Sequence, residues 1–174
     1  MIMTVALSAS LLLSATPAEV ATKPVTYSGF TIQVPAKWRV KKLGPEVVHV
    51  YTGACAKKAA ECEGFTLGGP MSIAHGNEDS AYTPSRPYQS STGVVECPVD
   101  KKLFADGRGK LVSAGKAPFG KGRRAGFAEW KLTCDGGSVT YPQRVWFLKT
   151  KKVIVVDQWK TPGLGAILAK AVWK

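Results

Sequence analysis

Histidine and acidic side chains are scarce in this chain of 174 residues, which carries two His and 12 Asp plus Glu. That scarcity narrows the available chemistry, because imidazoles and carboxylates supply most general acids, general bases and metal ligands. No Gly-x-Ser-x-Gly sequence marks a nucleophile elbow. No P-loop is present and no Gly-x-Gly-x-x-Gly follows a strand-like segment, so the phosphate-cradling turns of nucleotide enzymes are not expected. The four cysteines include no Cys-x-x-Cys pair of the kind that binds structural zinc. No internal repeat and no second domain can be read. Beyond the N-terminal stretch, no segment is apolar for the roughly 20 residues that a membrane-spanning helix needs.

What is present begins with that stretch, MIMTVALSASLLLSATPAEVATKP. From Val5 to Ala15 it is apolar or small and uncharged. That is about half the length of a membrane span and the size of a signal-peptide core, and it ends among small residues. Residues 1–21 are therefore expected to be a signal peptide cleaved after Ala18 or Ala21, and residues 22–174 a single secreted α+β domain. The departure from the usual pattern is the lack of Lys or Arg before the apolar core. The first cysteine is Cys55, so no lipid-anchoring Cys stands at the cleavage region and an extracellular protein is expected.

Cys55, Cys62, Cys97 and Cys134 form an even set in a small exported domain, which predicts two disulfides. Three connectivities are possible. Cys55–Cys62 with Cys97–Cys134 is favoured, because the first pair closes a short Lys/Ala-rich loop.

Gly29-Phe-Thr-Ile-Gln-Val34 alternates apolar and polar residues and predicts a half-buried strand. Pro35 to Trp38 ends it, with Trp38 and Val40 packing back on the core. Glu46 to Tyr51 predicts a second strand containing His49. Phe65–Leu67 and Met71–Ala74 are short strand candidates. Asn77 to Thr92, with Pro84, Pro87 and several serines, predicts an exposed loop. Val99 to Phe104 fits helix or strand equally. Ala125–Cys134 places Ala128, Trp130 and Leu132 on one face, and Asp135-Gly136-Gly137 predicts a hairpin turn. Ser138–Leu148 and Val153–Trp159 complete an antiparallel meander. Thr161 fits an N-cap with Pro162 at the first helical position, and Leu164, Ile167, Leu168 and Ala171 fall at helical spacing. This closing helix is expected to pack on the meander. The predicted fold class is α+β, an antiparallel sheet with helices on its faces, stapled by disulfides.

Tyr27-Ser-Gly-Phe-Thr-Ile-Gln-Val-Pro-Ala-Lys-Trp38 resembles the first strand and turn of the PsbP-like family. That family includes the photosystem II extrinsic subunit, Ran-binding relatives and exported actinobacterial proteins. The closing strands, hairpin and Thr161-Pro-Gly-Leu164 helix start are also similar, so the likeness covers the two ends, about 70 residues. It implies an αβα sandwich that binds partners rather than performing chemistry. The two expected disulfides, the high charge and the Pro/Ser loop depart from the family pattern.

Lys and Arg total 24, giving a net charge of +12. Outside a cell such a surface attracts anionic lipid headgroups, wall polymers, acidic polysaccharides or free nucleic acid. The densest segment runs from Lys101 to Lys131, with nine basic and two acidic side chains. Lys101, Lys102, Arg108, Lys110, Lys116, Lys121, Arg123 and Arg124 are the candidate binding residues. Phe104, Phe119 and Phe127 are interleaved with them, and five glycines between 107 and 122 give a loop-like composition. Basic and aromatic side chains together can grip a phosphate backbone and stack bases. Lys149, Lys151 and Lys152 extend the patch at a hairpin tip.

Catalytic alternatives are thinner. His49 reads as a structural strand histidine. His75-Gly-Asn-Glu-Asp79 could bind a hard cation or supply an acid and a base, although a polar turn explains it as well. Glu46, Glu96, Glu129 and Asp157 are the candidates for a glycosidase carboxylate pair. The sequence thus predicts a monomeric, secreted, non-enzymatic protein without metal or cofactor. Its basic surface would engage an anionic polymer, a lipid surface or a protein partner. A secreted hydrolase, acting on nucleic acid or polysaccharide, and an inhibitor or antimicrobial protein are the alternatives.

Overall fold

The computed structural model describes residues 20–174 apart from Asp79, Ser91, Thr92, Gly136 and Ser138. The expected signal peptide, 1–21, therefore falls almost wholly outside the described residues.

The chain builds β1 (Thr22–Tyr27), β2 (Phe30–Pro35), β3 (Arg39–Gly44), β4 (Val47–Tyr51), β5 (Gly64–Gly68), α1 (Pro70–Ala74) and β6 (Val95–Cys97). It continues with β7 (Asp100–Pro118), β8 (Arg124–Cys134), β9 (Thr140–Leu148), β10 (Val153–Asp157), α2 (Leu164–Ala169) and β11 (Val172–Trp173). One sheet has the order β1-β2-β11 and the other β3-β4-β5-β10-β9-β8-β7-β6. The ladders are antiparallel throughout. The eight-stranded sheet curls into a half-barrel.

This corrects the expected α+β class and the αβα sandwich. The two α-helices have only five and six residues, and neither covers a sheet face. The protein is mostly antiparallel β. A strand that alternates in hydrophobicity can leave its polar face to water, whereas one that is apolar on both faces needs cover on both sides. Here the small sheet supplies the cover on one side and the 76–90 loop on the other.

The main core lies between the two sheets. The alternation of β2 works as predicted: Phe30, Ile32 and Val34 are completely buried. They meet Val50, Phe65, Leu67, Trp146, Val153 and Val155 of the large sheet, with Leu164 and Leu168 of α2 closing the side. Ser28 and Gly29, both at positive φ (41° and 82°), make the tight turn that returns β2 along β1. On the other face of the large sheet, Val145, Ile154 and Val156 pack under Tyr82 and Tyr88. All of β10 is consequently buried, which is why its sequence, VIVVD, is a continuous apolar run rather than an alternating one.

The loop that provides this second cover is anchored by two buried amides. Asn77 donates from Nδ2 to the Pro87 carbonyl at 2.8 Å and accepts at Oδ1 from the Thr83 amide. Gln143, fully buried in β9, accepts from the Tyr88 N–H at 2.7 Å and donates to the Tyr88 carbonyl at 2.9 Å. The segment predicted as an exposed loop is a loop with most of its described residues exposed, and Asn77, Tyr82 and Tyr88 fasten it as a lid over the sheet.

Several local expectations change as well. Met71–Ala74, expected as a strand, belongs to α1, whose first turn is set by Pro70 and by the Glu46 carboxylate accepting the Met71 N–H at 2.8 Å. Thr161 does not cap α2, which starts after Gly163 (φ 72°). Its amide and hydroxyl both donate to Asp157 instead. Rather than sitting on the meander, α2 docks against β2 and the end of β7. Trp38 is buried as expected, but Val40 is exposed.

The loop-like 101–124 region is a strand and a tight turn. β7 runs for 19 residues, absorbing Gly107 (φ 68°) and register slips between Ala105 and Gly109 and between Leu111 and Ser113. Only its first residues pair with β6, so beyond Ala105 it has β8 on one side and no further strand among the described residues. Disulfides join Cys55 to Cys62 and Cys97 to Cys134. The first closes a loop that docks on the β6–β7 turn, where the Ala60 amide donates to the Pro98 carbonyl and the Lys101 amide to the Lys58 carbonyl. The second ties that turn to the end of β8.

Candidate anion-binding groove

The β7–β8 and β9–β10 turns lie side by side because β8 and β9 are neighbours, with Gly126 opposite Phe147. Both tips are basic. Lys116, Arg123 and Arg124 come from the first and Lys149, Lys151 and Lys152 from the second. All six line one open groove of about 930 Å³, with Phe147 and Gly126 also in its lining and Tyr82, Thr83 and Pro84 of the lid along one side.

Local structure holds these cations in place. The Arg124 Nη2 donates to the Lys116 carbonyl at 2.7 Å, bracing the two strands of the hairpin. The Arg123 guanidinium lies 5.2 Å from the Trp173 ring centre and the Lys151 ammonium 5.9 Å from it. Trp173 is itself fixed by its indole N–H donating to the Phe119 carbonyl at 2.9 Å. The ring thus gives two cations from different hairpins one common contact. No carboxylate lines the groove, and none of the six cations forms a salt bridge among the described residues. Like charges gathered this way repel, and an anion that enters relieves the repulsion.

The structure therefore brings together three of the eight predicted binding residues, Lys116, Arg123 and Arg124, and adds the three lysines of the second tip. Lys121 sits in the first turn but does not line the groove. Lys101, Lys102, Arg108 and Lys110 are spread along β7, where at about 3.3 Å per residue Lys101 and Lys116 stand up to about 50 Å apart. Arg108 is paired with Asp106 at 3.5 Å. Of the interleaved aromatics, Phe119 is fully buried while Phe104 is exposed. Sequence reading missed Trp173, Tyr82 and Gln143, whose partners Phe119, Phe147 and Tyr88 lie far away in the chain; Asn77, read as part of the His75–Asp79 cluster, instead anchors the nearby loop backbone.

The catalytic candidates do not converge. The Asp157 carboxylate is fully buried and forms an ion pair with Arg144 while accepting from Trp159 and Thr161. Both of its oxygens thus accept hydrogen bonds from neighbouring groups of the protein. Glu129 pairs with Lys160 at 3.5 Å, Glu46 caps α1, and Glu96 is exposed. His49 is buried against Thr66 and Tyr51, and burial lowers its pKa, with the Cys62 backbone opposing part of that shift. His75 ends α1, exposed at the rim of a second cavity. In the His75–Asp79 cluster, Asp79 lies outside the described residues. Among the described residues no three His, Cys, Asp or Glu side chains gather as a metal site. Compared with protein-family models and with curated proteins, the chain matches none.

Proposed function

We propose that this protein is a secreted, non-enzymatic module that binds a linear polyanion in the groove between its two basic hairpin tips. The observation that carries the reading is the convergence of six cations from two hairpins with no acidic partner. Clustered charge in a concave site focuses the field and raises the local concentration of counter-ions. A groove favours a chain of anionic groups over a flat lipid surface, because a chain can enter the concavity along which the six cations are set. Two disulfides, and the lack of any helix long and apolar enough to cross a membrane among the described residues, are compatible with an extracellular setting.

The test is equilibrium binding of the 22–174 domain to a phosphate polymer, a sulfated polysaccharide and anionic vesicles over a salt series. If all six cations meet phosphates, log K against log salt should fall with a slope of about −4 to −5. The Arg123→Glu/Arg124→Glu double variant should weaken binding far more than Lys41→Glu/Lys42→Glu, which changes the net charge equally but lies on β3. Equal losses from both doubles would show attraction by net charge alone and defeat the proposal. So would a preference for vesicles over every polymer.

A further inference from the structure

The lid separates the groove from a second concavity of opposite character. A cavity of about 430 Å³ lies on the same face of the curled sheet, bounded by the lid, α1 and the Cys55–Cys62 loop. This is within the size range, on the order of 300–1,000 Å³, of small-molecule sites. The chain has 24 Lys and Arg, yet none of them lines this cavity. Its apolar wall includes Val47, Leu132 and Val156, and its hydroxyls come from Thr66, Ser72, Tyr88, Ser90 and Tyr141. Among the described residues, Glu61 is the sole carboxylate in the lining, and His75 is the only other lining side chain that can carry charge near neutral pH.

Glu61 is placed by the Cys55–Cys62 staple, and its amide is held by the Pro98 carbonyl at 3.3 Å. Water reaches the residue, but the concave surroundings crowd it, and that partial desolvation raises its pKa with no cation acting against it. The Tyr141 hydroxyl is pushed up to about 12, first by burial and then by the negative charges of Glu61 and Asp106. Tyr88 is likewise raised by burial, with hydrogen bonds to Ser72 and Ser90 opposing part of the shift. The cavity thus combines one carboxylate and two phenol rings with apolar side chains, Leu132 standing opposite Tyr141 and Val156 packing with Tyr88.

We infer that this cavity binds a small organic amine, its ammonium on Glu61 and its apolar body against the cavity's apolar wall. Water solvates the exposed Glu61, and a ligand that brings a positive charge to it gains a charge-assisted contact that no lining Lys or Arg supplies. The two phenol rings add faces suited to a cation. An anionic ligand would meet like charge at Glu61, and a neutral one would leave the carboxylate unpaired.

The experiment is NMR-monitored titration of the 22–174 domain with three probes of similar shape, phenethylamine, 2-phenylethanol and 3-phenylpropionate. The amine should bind about tenfold more tightly than the alcohol, the value of a charge-assisted hydrogen bond over a neutral one. Shifts should centre on residues 61, 88 and 141. Glu61→Gln should reduce the amine to the alcohol's affinity without altering thermal stability. Glu61→Lys should abolish amine binding and admit 3-phenylpropionate. Arg123→Glu/Arg124→Glu should leave all of this unchanged, which separates the cavity from the groove. The inference is overturned if the alcohol or the acid matches the amine, or if Glu61→Gln has no effect. It is also overturned if no probe binds up to about 10 mM, or if the shifts map to the groove.

Discussion

Replacing Gln143 with Leu isolates the bond between lid and sheet. The change preserves size and apolar packing but removes both hydrogen bonds to the Tyr88 backbone. If the lid stays docked, the Tyr88 N–H and carbonyl lose their partners in a half-buried position, costing about 1–2 kcal/mol each and roughly 2–4 kcal/mol together. If the lid lifts, Tyr82, now 4% exposed, is returned to water. An aromatic side chain of that size buries roughly 150–250 Å², so exposing it costs about 4–6 kcal/mol before its contact with Phe147 is counted. The smaller penalty decides the outcome. The lid should stay down, the protein should lose roughly 2–4 kcal/mol of stability, and the Tyr88 amide should exchange faster. Urea unfolding measures the first effect and hydrogen exchange across residues 76–90 the second. A loss below about 0.5 kcal/mol with unchanged protection would refute the idea that this amide holds the lid.

The disulfides should differ in value. Removing Cys97–Cys134, which closes 37 residues, should cost about 4 kcal/mol, and removing Cys55–Cys62, which closes 7, about 2 kcal/mol, as read from urea midpoints of the paired Cys→Ser variants. A larger loss from the short bridge would show that chain entropy does not set the ranking. His49 gives a pH signature. Burial lowers its folded pKa below the unfolded value of about 6.5, so the unfolded chain takes up the proton first. Its effect on stability is absent above that pH and grows unfavourable as pH falls from about 6.5 through the lowered folded value. His49→Gln, which keeps a hydrogen-bonding group toward Thr66, should flatten the stability–pH curve in that window. An unchanged curve would place the titration elsewhere.

Local signals in the sequence were read correctly where one residue's environment is set by its neighbours in the same strand. Phe30, Ile32 and Val34 alternate because one side of β2 faces the core and the other faces solvent. Ala128, Trp130 and Leu132 do so in β8, and the two cysteine pairs follow the favoured connectivity. The α+β class was misread because β7 has no such signal. Most of its side chains from Arg108 to Lys116 are exposed on both faces, so no period of two develops, and its glycines look like turn residues. The exposure of the 77–92 loop was legible in its polar composition, but its anchoring to the sheet was not, because Gln143, which bonds the Tyr88 backbone, lies 55 residues away. The groove was half legible. Charge density pointed to the 101–124 segment, whereas membership in the groove is decided by which two turns the sheet order brings together.

The free outer edge of β7 gives the positive charge a second meaning. A strand with unpaired N–H and carbonyl groups along one side is a template on which another copy of the chain could lay its own edge, and aggregation begins that way. Here the template is spoiled several times over. Arg108, Lys110 and Lys116 project along it, two register slips break its regular spacing, and Pro118 ends it without a donor. Of the cations named, only Lys116 also lines the groove, so that one lysine belongs both to the candidate site and to the guarded edge. The electrostatic part of this protection weakens as salt screens the lysines and arginines.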